Sequence, residues 1–503
     1  MLRREDNERV TRTGPGTPLG QLMRAYWQPV ALVSEMPDER PVKAIRVMSE
    51  DLVLFRRDDN GPGPDGGETV RPADDEPLRS DGDETVRPAD DEALRSDGVE
   101  TVRPVGDGDA ERPKDAGGTG SWGLVGRYCA HRGVDLSYGR RESGGLRCLY
   151  HGWLYGPDGR CLEQPAEPEH SNFAAKVRIP SYPCVERNGL VFAYLGTGDP
   201  PPFPAYDCFR APEEYTFAFK GWWECNWLQG VEGGIDPSHV SFLHRFVGED
   251  PREVYGQQFS EEVEGTGKKL SELVGASSRP DIDVESAEHG LRVFALRELA
   301  EDVRHVRITN LVFPNAFVVP FGNGKVFCQW HVPIDDENHY WFMIFYDFEE
   351  VTDKDTLLAQ RLAEVSLPDY RPLRNRTNDW GFDAKEQREL TYTGMGLDIN
   401  VHDQWAVESM GAVQDRTVER LGVSDRAVTA NRRLLLKAIT SFENGNPVPG
   451  LPLDEREAEE LTGPAAIDTI TPADGWEEAW RRRESERRAR SPWAGQEVPG
   501  AQR

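Results

Sequence analysis

Chemistry-bearing residues concentrate in two short hooks, Cys129-Ala130-His131-Arg132-Gly133 and Cys148-Leu149-Tyr150-His151-Gly152-Trp153. Each hook offers one soft thiolate and one imidazole, and each carries a Gly that lets the loop turn tightly around a metal centre. A Cys2His2 zinc site is the competing assignment, but zinc fingers usually present both Cys on one knuckle and both His on the other. Here each knuckle has one of each, the arrangement required when two Cys hold one iron of a [2Fe-2S] cluster and two His hold the other. The chain has seven Cys in 503 residues and no dense framework, which fits a reducing compartment. Cys161, Cys184, Cys208, Cys225 and Cys328 read as small buried hydrophobes.

A second constellation stands at Asp236-Pro237-Ser238-His239-Val240-Ser241-Phe242-Leu243-His244. Asp followed by Pro predicts an N-cap with Pro at the first helical position, so a helix is expected to start here with Asp236 and His239 on one face. His244 is five beyond His239 and would point away on an ideal helix, so a shared metal requires a break between them. Taken alone, the spacing fits two buried His on an amphipathic helix, with Asp236 merely capping it, better than it fits a metal site. Beside a redox cluster in the same chain, two His and a distant carboxylate suggest the facial triad that holds mononuclear Fe(II) and leaves positions open for dioxygen.

The elements that must position these residues follow from pattern and composition. A chain of 503 residues predicts two domains plus extensions. Strands are expected at Ala44 to Met48, Leu52 to Phe55, Trp122 to Val125, Lys176 to Pro180 and Gly189 to Leu195, after a short helix from Leu19 to Tyr26. Between them the sequence from Asp58 is rich in Gly, Pro, Asp and Glu, and Glu68-Thr69-Val70-Arg71-Pro72 recurs at Glu84 to Pro88 and at Glu100 to Pro104. Too few apolar residues occur per repeat to bury a face, so a disordered acidic insertion is expected at 58–120. Asp58 to Asp115 holds 19 acidic against 7 basic residues, so this insertion supplies much of the formal charge of -29. The pattern then gives a strand from Tyr215 to Trp223, a helix through Asn226 to Glu232, strands from about Arg292 to Phe348 and a helix near Leu357 to Val365. A longer helix from Gln404 to about Ile439, interrupted at Gly422, and a charged helix from Trp476 to Arg490 complete it. The expected division is an N-terminal segment at 1–27, a hook-bearing β domain at 28–200, an α+β domain at 201–445 and a charged C-terminal extension at 446–503. The negative charge argues against nucleic acid or an anionic membrane as partner. No apolar run approaches the roughly 18 residues of a membrane span, and Met1 to Asn7 lacks the apolar core of a signal peptide, so a cytoplasmic location is expected.

Cys129-x-His131 with Cys148-x-x-His151-Gly152-Trp153, followed by Asp236-x-x-His239-x4-His244, resembles the oxygenase (alpha) component of Rieske non-haem iron ring-hydroxylating oxygenases. Asn226-Trp227-Leu228-Gln229, Ser241-Phe242-Leu243-His244 and Glu408-Ser409-Met410-Gly411 are most similar to the phthalate 4,5-dioxygenase branch. The resemblance spans roughly residues 15 to 57 and 120 to 440. It implies an α+β chain, with an N-terminal all-β Rieske [2Fe-2S] domain and a C-terminal helix-grip catalytic domain of antiparallel sheet and helices, arranged head to tail in a homotrimer. It implies Cys129 and Cys148 on one iron of the cluster, His131 and His151 on the other, and His239 and His244 on a mononuclear Fe(II). The third ligand is then a carboxylate near a C-terminal helix. Asp403 is the expected one, because it precedes Ala406-Val407-Glu408 as the family's ligand precedes a similar Val-Glu pair; Asp398, Glu408 and Asp415 are its rivals. Asp236 is expected to serve catalysis by bridging His151 of one subunit to His239 of its neighbour. The implied activity is hydroxylation, dihydroxylation or demethylation of a small aromatic, carboxylated substrate with dioxygen, with electrons from an NAD(P)H-dependent reductase carrying flavin and an iron–sulfur centre. Arg245, beside His244, is a candidate for a substrate carboxylate, and an ordinary ion pair is its competing role. The alternative for the whole chain is a Rieske-type electron-transfer or redox-sensing protein whose second metal site is unused.

Overall fold

The computed structural model describes residues 1–57, 122–247, 262–263, 267–322 and 324–495; the acidic insertion expected at 58–120 lies outside the described residues. Around the hooks, short strands form three antiparallel sheets. Trp27–Leu32, Leu190–Tyr194 and Cys184–Arg187 make the first, and Val42–Val47, Glu50–Arg56, Trp122–Gly126 and Ser181–Tyr182 the second. Arg140–Glu142, Gly145–Arg147, Leu154–Tyr155 and Cys161–Glu163 make the third, and the second hook is the connection between its two central strands. The expected strand at Lys176 to Pro180 is not formed. A 3-10 turn occupies Ala174–Lys176, and only Arg178 bridges, to Arg160. Pro180 lacks the N–H a ladder needs, and the polar neighbours have no face to bury. Val53, Phe55, Val125, Leu146, Trp153 and Tyr155 form one buried cluster with both hook cysteines, so the hooks grow out of a packed core.

The larger half is an antiparallel sheet of eight strands: β1 (Thr216–Trp223), β2 (Asp281–Ala287), β3 (Gly290–Ala300), β4 (Val303–Val312), β5 (Ala316–Pro320), β6 (Lys325–Pro333), β7 (His339–Asp347) and β8 (Ile467–Pro472). The order is β1-β7-β6-β5-β4-β3-β2. Strand β5 pairs only with Asn310 to Val312 of β4, and β8 fills the edge this leaves, running from Val303 opposite Pro472 to Ile308 opposite Ile467. The stretch after 446, read from its charge as an extension, is therefore built into the sheet: its helix Trp476–Arg490 packs beside β8, with Trp476 and Trp480 against Phe294 of β3. Composition hid this because the strand is short and its neighbours are polar.

Helices Trp227–Ile235 and Ile399–Glu408 frame the second site, the first packed on the sheet and the second on the first. Helix α1 (Trp227–Ile235) is capped by Asn226, whose side chain accepts from the Leu228 N–H at 3.2 Å. Its glycines let the backbone approach closely: a Cβ at Gly230 would sit 2.3 Å from Nδ1 of His331, and one at Gly234 2.0 Å from the Phe317 ring. Replacing Gly230 by Ala is expected to cost about 1–3 kcal/mol by overpacking, read as a lowered denaturation midpoint. Helix α2 (Ile399–Glu408) is capped by Asp398. The expected helix from Gln404 to Ile439 is instead two: α2 ends before Gly411, which takes φ 94°, and Arg426–Glu443 starts separately. Gly422, the expected interruption, lies in the non-helical segment between them.

Candidate metal centres

The hooks are shaped by their own backbone. The Cys129 N–H donates to the Val134 carbonyl at 2.9 Å and the Cys148 N–H to the Trp153 carbonyl at 2.8 Å, while Gly133 and Gly152 turn through φ 74° and 72°, where a side chain would be strained. Both thiols are buried at 3% exposure, whereas His131 is exposed and His151 half-buried. The rings of His131 and His151 lie 4.5 Å apart between centroids, and His131 stacks on Trp153 at 4.6 Å and 7°. The donors thus divide into an inner sulfur pair and an outer imidazole pair, which fits a [2Fe-2S] cluster with two Cys on one iron and two His on the other. Burial pushes the Cys148 thiol above its ordinary value, so at neutral pH a thiolate there requires a bound metal. Tyr155 donates or accepts at 3.2 Å from Sγ of Cys129, a contact able to tune a ligating sulfur.

The second constellation departs from its expected local structure. Helix α1 ends at Ile235 and Asp236 is its C-cap, so no helix begins at Pro237. The Asp236 carboxylate accepts from the Ser238 N–H at 2.8 Å, forming a turn of the kind Asp side chains favour, and a 3-10 turn follows at His239–Ser241. That turn stops at Phe242, and the resulting break swings His244 back beside His239, their rings 5.1 Å apart at 84°. Asp403, on the face of α2 toward them, puts Oδ1 3.2 Å from Nε2 of His244 and 3.7 Å from Nε2 of His239. One ligand atom of each residue lies within 4.8 Å of the others, a neutral-nitrogen, neutral-nitrogen, carboxylate set that fits a facially held iron. Burial alone would raise the Asp403 pKa, but the facing histidines pull it below the ordinary value.

The rival carboxylates are engaged elsewhere. Asp398 caps α2 and pairs with Arg361 at 2.7 Å; Glu408 accepts from the Glu224 N–H and the Trp380 indole, both at 2.9 Å; Asp415 accepts from Thr417. Arg245 is exposed and does not line the cavity at this site. Instead, successive inward positions of β4 (Arg307, Thr309), β5 (Phe317, Val319) and β6 (Phe327, Gln329, His331) form one wall, as the two-residue period of a strand requires. With Trp223, Val240, Ile399, Asn400 and Val407 they enclose about 670 Å³ of space, its open mouth included, over His239, His244 and Asp403.

Three supporting residues were not legible as such. His402 stacks on His244 at 21°, donates or accepts at 3.4 Å between the Nδ1 atoms, and is fixed by the Gly396 carbonyl at 2.9 Å; burial lowers its pKa to about 4. Buried Arg297 donates to the Pro237 carbonyl at 2.9 Å, fixing the turn between Asp236 and His239. Asp468, on β8, binds Arg307 at 2.5 Å and His305 at 3.1 Å. Asp403 is adjacent to His402 in sequence, which was the only available signal for the first; the other two are set by strand register.

A pair of Cys/His hooks and a two-His, one-carboxylate group in one chain fit an iron-dependent oxygenase. Comparison with known proteins agrees: residues 105–183 match the Rieske [2Fe-2S] domain and residues 193–493 the LigXa C-terminal domain like family. The oxygenase subunit of phthalate 4,5-dioxygenase from Pseudomonas putida is 32% identical over 468 residues, covering 90% of this chain and 89% of that one. The oxygenase subunit of 3-chlorobenzoate-3,4-dioxygenase from Comamonas testosteroni is 28% identical, covering 96% and 99%. The tert-butanol monooxygenase / tert-amyl alcohol desaturase oxygenase subunit of Aquincola tertiaricarbonis is 29% identical, covering 88% and 78%. The chain belongs to the Rieske non-haem iron oxygenases, as an oxygenase component whose cofactors are a [2Fe-2S] Rieske cluster and a mononuclear iron. No helix among the described residues is long and apolar enough to cross a membrane.

Proposed function

We propose that this chain oxygenates a small aromatic acid at an iron held by His239, His244 and Asp403, with electrons reaching it from a [2Fe-2S] cluster held by Cys129, His131, Cys148 and His151. The observation that carries the reading is the convergence of the three ligand atoms beneath an aromatic-lined cavity. When bound there, iron offers open coordination positions for dioxygen. Trp223, Phe317 and Phe327 provide flat apolar surface for a ring, and Arg307, paired with Asp468, stands in the same wall. Phthalate and chlorobenzoate, for which two relatives are named, are both aromatic acids. The redox-sensor alternative leaves the convergence of His239, His244 and Asp403 without a use.

Electrons come from a separate NAD(P)H-dependent reductase with flavin and iron–sulfur centres, and the working unit is a homotrimer, in the cytoplasm. Tyr128, Leu149, Tyr150 and Phe173 leave apolar surface exposed around the hooks, which supports a protein covering them. Asp236, 3.8 Å from Nδ1 of His239, joins that residue to His151 of a second copy of the chain; the contact within one chain supports this link.

The test is oxygen uptake by the iron-loaded protein with a surrogate reductase, across a panel of aromatic acids, aromatic ethers and short tertiary alcohols, with products identified. Reductant-dependent uptake with oxygen placed on an aromatic acid is expected. Uptake only with an alcohol, or none at all, refutes the reading.

A further inference from the structure

Three buried polar groups run in file away from the cavity. Gln329 and His331 sit two apart on β6 and share its inward face, and His339 opens β7. Nε2 of Gln329 lies 3.1 Å from Nε2 of His331, Nδ1 of His331 lies 2.9 Å from Nε2 of His339, and Nδ1 of His339 lies 2.7 Å from the Cys225 carbonyl oxygen. The far end sets the direction of every proton. A carbonyl oxygen only accepts, so Nδ1 of His339 carries hydrogen. Both rings are fully buried, and burial holds them neutral, with the His339 pKa lowered to about 4 and that of His331 well below its ordinary value. A neutral imidazole that donates from one nitrogen accepts at the other. Nε2 of His339 therefore takes the hydrogen of His331 Nδ1, and Nε2 of His331 takes an amide N–H from Gln329.

This fixes which way the Gln329 amide faces. Its nitrogen is committed to His331, and its oxygen is left without a donor among the described residues, in the wall of the cavity over His239, His244 and Asp403. The rings cannot swing to release it. Trp223 and Phe317 flank His331 at 5.5 and 5.4 Å, and Gly230 of α1 rests against it.

We propose that Gln329 determines specificity: its fixed amide oxygen accepts a hydrogen bond from a hydroxyl or N–H group on the substrate ring, so that ring-hydroxylated or ring-aminated aromatic acids are preferred. This rests on the aromatic-acid reading above. A ring without such a donor strips water from the amide oxygen and returns nothing, and a site built to bond a hydroxyl discriminates strongly for that reason.

The experiment is calorimetric binding of hydroxy-, amino- and fluorobenzoates, each ring position in turn, to the iron-loaded protein without dioxygen. Fluorine nearly matches the hydroxyl in size and donates no proton, so steric preference cancels. For at least one position the hydroxyl or amino compound is expected to bind about 10- to 100-fold more tightly than its fluoro match. Gln329→Met, checked for an unchanged cluster spectrum and melting temperature, is expected to bring the two within about threefold of each other, through loss of that one bond. Equal affinities in the unaltered protein, or a preference that survives Gln329→Met, overturn the assignment. If no benzoate binds at all, the aromatic-acid reading falls first and this assignment with it.

Discussion

Replacing Asp403 by Ala is expected to yield protein with about two irons per chain where the unaltered chain holds about three, with the cluster's visible absorption intact and substrate-dependent oxygen uptake gone. Donor count sets this outcome. His239 and His244 bring Nε2 atoms toward a single point, and Asp403 is the carboxylate that reaches it, 3.2 and 3.7 Å from them. Two neutral imidazoles alone neither balance the charge of a divalent ion nor fix three corners of its coordination sphere. A supporting residue around a metal is worth 10- to 100-fold in affinity, so loss of a direct ligand should cost about 100-fold or more. The same substitution at Asp398 separates the alternatives. Asp398→Ala removes the α2 cap and the Arg361 pair, so it should lower the melting temperature while iron content stays near three. Full iron in Asp403→Ala, or loss of one iron only in Asp398→Ala, would show that the third ligand had been misassigned.

How much of this was legible beforehand differs between the two centres, for a physical reason. The hooks are local: each Cys and His pair lies within a few residues, and the tight turns come from Gly133 and Gly152 in the same segments. Residue type and spacing therefore sufficed to group those four side chains. The second centre is assembled over more than 150 residues, and its local reading failed where the side chain of Asp236 outcompeted the helix. Asp-Pro normally reads as a helix start, but α1 already occupies the preceding nine residues, and its last carbonyls and the Ser238 N–H take Asp236 as a terminus. The break this creates is what the spacing of His239 and His244 demanded. The β8 strand shows the converse: no local pattern announces that Asp468 will stand beside Arg307, because only pairing with β4 puts it there. Gln329 and His331 have the alternation of an inward strand face, yet the proton order that fixes the amide depends on Cys225, more than 100 residues earlier.

Asp236→Asn is expected to keep both metal centres filled and the fold intact, yet slow turnover by at least about 10- to 100-fold. The substitution is nearly isosteric, and an amide oxygen can still accept from the Ser238 N–H, now 2.8 Å from Oδ1 of Asp236. With Arg297 holding the Pro237 carbonyl, the turn that delivers His239 should survive. What changes is the second oxygen, 3.8 Å from Nδ1 of His239, an electrostatic contact longer than a hydrogen bond. Nδ1 of His239 is buried with no hydrogen-bond partner in the described structure, so the Asp236 carboxylate is the nearby group able to orient that ring. In the amide variant the corresponding atom is an N–H, which faces the ring's own N–H and can accept nothing. If the amide flips to present its oxygen to His239, it forfeits the Ser238 bond and loosens the turn. Either way the proposed link from His239 to His151 of a second copy loses its anion. The readout is the rate at which a chemically reduced cluster is reoxidised on mixing with substrate and dioxygen, alongside iron content and melting temperature. A cluster that stays reduced in a fully iron-loaded, stable variant is the expected result. Reoxidation at the unaltered rate would sink the proposed route, and loss of the mononuclear iron would instead make Asp236 a support for His239 alone.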